Sequence, residues 1–156
     1  MLDRKMRRIS LQTDEQTARQ ILLEASFGVL STVGEDGFPY GIPVNYAYDG
    51  EKIYFHCAKS SGHKQENLSF CNKVCFTAVT EGVVLPEQLD TKYKSVVVFG
   101  LAEKTESNKE YGLKLISQKY AHSFAEKIES EIKSECKNAD VYEITPLKIS
   151  GKQKHQ

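Results

Sequence analysis

Two tight-turn signals set in a run of β-forming residues hold this chain to an antiparallel design. The run is residues 27–58, FGVLSTVGEDGFPYGIPVNYAYDGEKIYFHCA. Val29 to Val33 reads as a strand, with Glu35, Asp36 and Gly37 as its turn. Tyr40 to Tyr48 reads as the next. Asp49-Gly50 then predicts a hairpin into Ile53 to Ala58, because that pair accepts the backbone angles a tight hairpin imposes. Pro43 has no N–H to give a ladder, so it belongs at an edge or a bulge.

The flanks add helices and further strands. Arg4, Lys5, Arg7 and Arg8 make residues 1–12 a basic, exposed arm. Thr13 with Gln16 is a capping-box pattern, and Ala18, Ile21, Leu22 and Ala25 give the apolar stripe of the helix it opens. Gly28 stands where a glycine would end that helix. Downstream, Gln65 to Phe70 reads as a short helix and Val74 to Thr80 as a strand, followed by a loop over Gly82 to Lys92 around Pro86. Ser95 to Glu103 is a strand whose run of Val96, Val97, Val98 and Phe99 predicts burial on both faces. Residues 110–137 are helical in composition, with Phe124, Ile128, Ile132 and Cys136 spaced for one packed face. Val141 to Ile149 is a last strand, and residues 151–156 a basic tail. Six short strands with two or three helices predict a mainly β, α+β domain over residues 1–156. A small barrel flanked by helices is one architecture, and a sandwich the other.

Composition narrows the partners. The 156 residues carry 21 Lys and Arg against 21 Asp and Glu, so no net charge recommends a nucleic acid, and the aromatics are not interleaved with basic residues. The polar, basic start has no apolar run of signal-peptide or membrane length, which predicts a cytoplasmic protein with no membrane partner. Cys57, Cys71, Cys75 and Cys136 lack paired spacing and read as free thiols.

The most informative stretch is IYFHCAKSSGHKQENL, residues 53–68. Ile53, Phe55 and Cys57 fall on one side of a strand, and Tyr54, His56 and Ala58 on the other. Ser60, Ser61 and Gly62 break the strand, and helical spacing resumes from about Lys64. A strand, a Ser/Gly turn and a helix start gather free backbone N–H groups, hydroxyls and an ammonium around one point, which suits a phosphate monoester. An ordinary surface turn with a capped helix would use the same residues without a ligand. Neither the Walker pattern nor the three-glycine dinucleotide fingerprint is present. His56, Cys57, His63, Cys71 and Cys75 also crowd into residues 56–75. However, His56 and Cys57 should face opposite ways on a strand, so no metal is expected.

These residues carry a resemblance. Residues 28–79, with Gly37 and Pro39, then Pro43, Val44 and Asn45, then Phe55 and His56, Gly62 and Lys64, and Asn72 to Phe76, resemble the pyridoxamine 5′-phosphate oxidase-like flavoproteins. Within them the nitroimidazole-resistance branch is nearest. Arg7 and Arg8, Tyr93 to Val96 before Phe99 and Gly100, and Ile149 to Lys152 extend the resemblance over nearly the whole chain. It implies a six-stranded split β-barrel and a homodimer holding FMN at its interface. It assigns Pro43, Val44 and Asn45 to the flavin ring edge, and places His56 and Ala58 along the ring. Ser61, Gly62, His63 and Lys64 would hold the phosphate. Ser95 and Lys152 would approach the cofactor, from the same or the second subunit. Two departures stand out: Cys57 replaces a serine common in relatives, and the chain has no tryptophan to stack on a flavin.

The implied activity is that of an FMN-dependent oxidoreductase, passing electrons from NADH or NADPH to a small acceptor such as a nitroaromatic. The flavin would carry the redox chemistry, and His56 is the one catalytic candidate, for proton transfer or anion binding. Two alternatives stay open: a flavin-binding sensor without turnover, and a haem- or metal-binding barrel. Tyr40, Tyr46, Tyr48 and Tyr54 would line a cleft or pack the barrel.

Overall fold

The computed structural model describes residues 2, 4–60, 62–121, 123 and 125–154. Ser61 and Phe124 lie outside the described residues. Seven strands form one antiparallel sheet: β1 (Gly28–Val33), β2 (Pro39–Val44), β3 (Tyr46–Tyr48), β4 (Ile53–Ala58), β5 (Lys73–Leu85), β6 (Asp90–Lys104) and β7 (Ala139–Lys154). Four helices flank it: α1 (Glu15–Glu24), α2 (His63–Phe70), α3 (Lys109–Ala121) and α4 (Ala125–Asn138).

The strand order is β2-β1-β5-β6-β7-β4-β3. Its two edge strands, β2 and β3, are consecutive in the chain and separated by Asn45 alone. One residue can bridge opposite edges only if the sheet coils until those edges meet. The expected count of six strands is therefore corrected to seven, because Tyr40 to Tyr48 divides at Asn45. Up to Val44 it pairs with β1, and from Tyr46 it pairs with β4. Pro43 falls on the edge strand β2, where its missing N–H costs no interior ladder.

The Asp49-Gly50 hairpin forms as read. Asp49 accepts hydrogen bonds from the Glu51 and Lys52 amides at 2.8 and 2.7 Å, and Gly50 takes φ 101°, which favours glycine. The first helix is displaced by a residue from the expected cap: Asp14 accepts from the Thr17 amide at 2.7 Å. Gly28 does not end α1 but opens β1, where an added Cβ would sit 2.2 Å from the Phe76 ring. Two further segments run longer than expected. β5 and β6 continue through the predicted loop as a hairpin closed at Pro86–Gln88, with Leu85 opposite Asp90. The predicted tail belongs to β7 through Lys154, which pairs with Tyr93 and salt-bridges Asp90. The long helical segment is two helices.

Two apolar clusters hold these layers. The first lies inside the coiled sheet under α1, around Leu30, Tyr46, Phe55, Phe76, Val96 and Val98. Each such side chain contributes about 1.5–3 kcal/mol on burial. Tyr46 packs edge-on to Phe76 at 4.7 Å, and its hydroxyl donates to the Leu22 carbonyl in the last turn of α1. That bond satisfies a helix-end carbonyl that would otherwise be orphaned. The second cluster packs α3 and α4 on the opposite face, with Ile128 and Ile132 against Tyr54 and Val141. Burial of β6 is one-sided: Val96 and Val98 are fully buried, whereas Val97 is half-buried and Phe99 is 40% exposed. No described helix is long and apolar enough to cross a membrane.

Candidate functional site

Three elements converge where β4 runs out. Ala58 ends the strand, and Gly62 is the N-cap of α2, with no side chain capping the helix. The Gln65 and Glu66 amides turn back to the Gly62 carbonyl at 2.8 and 3.0 Å, leaving the His63 and Lys64 amides pointing out of the helix start. Gln65 fixes the corner, donating from its side chain to the Ala58 carbonyl at 3.1 Å. His63 is exposed, but its ring stacks on Tyr40 of β2 at 4.1 Å and 29°. That contact docks the helix start against the edge strand. Asn45 directly precedes Tyr46, whose pairing partner Phe55 is the chain neighbour of His56. Pro43 and Asn45 are exposed, and Val44 packs partly against the core.

The corner is electropositive and short of partners. Lys64 is half-buried, with Nζ 5.3 Å from the centre of the Phe55 ring, and no carboxylate lies in ion-pair range among the described residues. Burial pushes its pKa down, with the neighbouring Cys57 thiol acting the other way. The Cys57 thiol is pushed up by burial and drawn partly back by Lys64. Its Sγ lies 3.8 Å from the Asp140 carbonyl. Asp140 is answered by Lys104 at 2.9 Å, so that carboxylate is already engaged. His56 is half-buried, and its Nδ1 is buried without a hydrogen-bond partner. An ammonium without an ion-pair partner among the described residues and two outward amides fit an anionic group with acceptor atoms, whereas His56 takes the face of β4 opposite to Phe55 and Cys57. Of the expected phosphate ligands, Gly62, His63 and Lys64 meet here.

Ser95 and Lys152 do not. They face each other across the β6–β7 ladder. Along β7, Lys152 is about 35 Å of strand beyond Val141, the residue that pairs with His56. Lys152 instead lies 5.2 Å from the Tyr93 ring centre.

With this geometry in view, the comparisons are informative. The family model for pyridoxamine 5′-phosphate oxidase matches residues 14–153. The chain belongs to the pyridoxamine 5′-phosphate oxidase family. Its fold recurs in solved structures of low identity. A candidate 5-nitroimidazole antibiotic resistance protein from Bacteroides thetaiotaomicron is 23% identical, with a TM-score of 0.73 over 89% of this chain and 83% of that one. A conserved hypothetical protein from Mycobacterium tuberculosis is 18% identical, with a TM-score of 0.80 over 96% and 90%. An FAD-binding protein from Mesorhizobium loti is 22% identical, with a TM-score of 0.63 over 92% and 97%. No curated protein matches the chain.

The family's oxidase name directs attention to residues that periodicity alone did not separate. Of the four hairpin tyrosines, Tyr46, Tyr48 and Tyr54 are buried in the clusters, and only Tyr40 reaches the corner. Lys119 of α3 went unnoticed in the sequence. Its Nζ is buried without a hydrogen-bond partner, 3.7 Å from the centre of the Tyr46 ring, and burial pushes its pKa down to about 8. A lysine in a polar helix carries no sequence signal for such a placement. Among the described residues, no group of three or more His, Cys, Asp or Glu side chains could hold a metal ion. All four cysteines are free and half-buried.

Proposed function

We propose that the chain is an FMN-binding oxidoreductase, a cytoplasmic homodimer of split β-barrels that reduces a small acceptor such as a nitroaromatic. The observation that carries this reading is the half-buried Lys64 at an uncapped helix start, with no ion-pair partner among the described residues. Family membership supports it, as do neighbours named as FAD-binding proteins and as a candidate nitroimidazole resistance protein.

The cofactor supplies two-electron redox chemistry. Lys64 and the His63 and Lys64 amides bind its phosphate, with Ser61, Gly62 and His63 completing the turn. Pro43, Val44 and Asn45 border the ring, with Ala58 along it. His56, whose Nδ1 has no hydrogen-bond partner, would offer a polar contact to the ring edge and is the candidate for proton transfer. In this reading Ser95 and Lys152, which lie far along the β6–β7 ladder from the corner, come from the partner subunit. The exposed apolar residues of the outer β5–β6 hairpin, Val79, Val83 and Val84, form the dimer contact. NADH or NADPH is the electron donor.

A visible spectrum of the purified chain tests this. Flavin absorbance, with FMN released on denaturation, is expected; a preparation that stays colourless with added FMN or FAD refutes it. The scarcity of titratable groups at the corner favours a second reading, a flavin sensor without turnover. Steady NADH or NADPH oxidation with a nitroaromatic rejects that alternative.

A further inference from the structure

A cavity of about 890 Å³ opens on the outward face of the sheet, between the N-terminal arm and the base of β5, β6 and β7. Its floor is apolar: Val97, Phe99 and Leu147, the last two 40% and 54% exposed. Arg4, Lys5, Lys73 and Lys148 also line it, and none of the described lining residues is acidic. None of these four cations forms an ion pair among the described residues.

The backbone is arranged for this. Opposite Phe99 and Gly100, β7 offers Lys148 and then Pro146, so Leu147 is an extra residue in a bulge. Strict alternation would send Leu147 and Lys148 to opposite faces; the bulge lets both line the cavity. The Lys148 ammonium is held in place by the carbonyls of Leu2 and Arg4, which position the charge without neutralising it.

We propose that this cavity binds an amphipathic organic anion, an aryl or acyl carboxylate. Its charged head sits on Lys148 with Arg4 or Lys73, and its apolar body lies along Val97, Phe99 and Leu147. Ser95 continues the same outward stripe of β6 as Val97 and Phe99, so the bound anion adjoins the partner-facing end of the proposed flavin site. The binding itself needs no flavin.

The test is a fluorescence titration of the full chain with 11-(dansylamino)undecanoic acid and with its neutral methyl ester. Saturable binding at one site per chain is expected, with the acid about tenfold tighter than the ester. Lys148→Ala combined with Lys73→Ala should bring the acid to the ester's affinity, while Lys148→Arg retains the preference. Phe99→Ser should weaken both ligands, with thermal melts showing that each variant is folded. Equal affinity for acid and ester, or no saturable binding, overturns the proposal. Flavin absorbance is read on the same samples. A yellow protein that fails to discriminate sinks this inference alone. A colourless one that discriminates sinks the flavin reading and supports the cavity.

Discussion

Two half-buried lysines, set over the rings of the paired residues Phe55 and Tyr46, have different surroundings, and the difference separates a site from a structural contact. Lys119 lies in the last turn of α3, where the helix dipole favours a cation, and its ammonium rests 3.7 Å from the centre of the Tyr46 ring. Lys64 lies in the first turn of α2, where the same dipole opposes it, and it has only the Phe55 ring at 5.3 Å. Burial lowers the pKa of both. Both ammoniums are thus buried at a cost, which the last-turn dipole and the Tyr46 ring offset in part for Lys119 and which the helix start adds to for Lys64. An arriving anion would offset the cost at Lys64.

The sharpest way to break this contrast is to remove each amine in turn. Lys64→Ala is expected to weaken FMN by about ten- to a hundredfold, or about 1.5–3 kcal/mol, the range of one charge-assisted hydrogen bond. Lys119→Ala should leave FMN affinity within about twofold, since its amine rests on the Tyr46 ring in α3 and not at the start of α2. Flavin fluorescence quenching measures both. Equal losses would place the anion elsewhere and erase the distinction. The same titration against pH gives the sign: because burial depresses Lys64, wild-type affinity should begin to fall at a pH below lysine's ordinary 10.5, and Lys64→Ala should lose that fall.

The corner was legible because its signal is local. Period-two alternation over Ile53 to Ala58, a Ser/Gly turn and renewed helical spacing define three elements within sixteen residues, and Asp49-Gly50 fixes the preceding hairpin. What went unread depends on partners distant in sequence. Residues 82–92 look like a loop, with Gly82, Pro86 and scattered charges, yet pairing of Val83 with Lys92 and Val84 with Thr91 makes them strand. The basic end looks solvated until Lys154 meets Asp90 and Lys152 meets Ser95. The division at Asn45 follows from sheet closure, to which no window of sequence points. Lys119 belongs to the same class, since only the docking of α3 puts it over Tyr46.

Stability offers a gentler test of the two lysines. With its folded pKa near 8 and its unfolded one near 10.5, Lys119 carries a burial penalty in full below pH 8. Between about pH 8 and 10.5 the unfolded chain binds more protons than the folded one, so stability from this group rises with pH. Lys119→Met keeps the volume and the aromatic contact but removes the charge. It should raise the melting temperature at pH 7 by about 2–4 °C, a shift of the size that follows from about 1 kcal/mol in a domain of this length. The gain should shrink towards pH 10. A melting temperature that falls instead would mean that the Tyr46 face outweighs desolvation, making Lys119 a stabilising contact.

The smallest expected effect bears on how the corner is held. Tyr40 touches no charged group of the helix start, but its ring carries His63 at 4.1 Å and so fixes the angle at which α2 meets β2. Tyr40→Leu keeps an apolar side chain on the edge strand and removes the stacking face, worth about 0.5–1.5 kcal/mol in aromatic pairs. Part of that loss falls on the free protein and part on the ligand complex, so FMN affinity should drop only about threefold. His63→Ala in the Tyr40→Leu background should then cost less than His63→Ala alone, because the two residues act as a unit. Additive losses would show that His63 meets the phosphate without help from Tyr40, and would reduce the edge strand's part in the site to bordering the flavin ring.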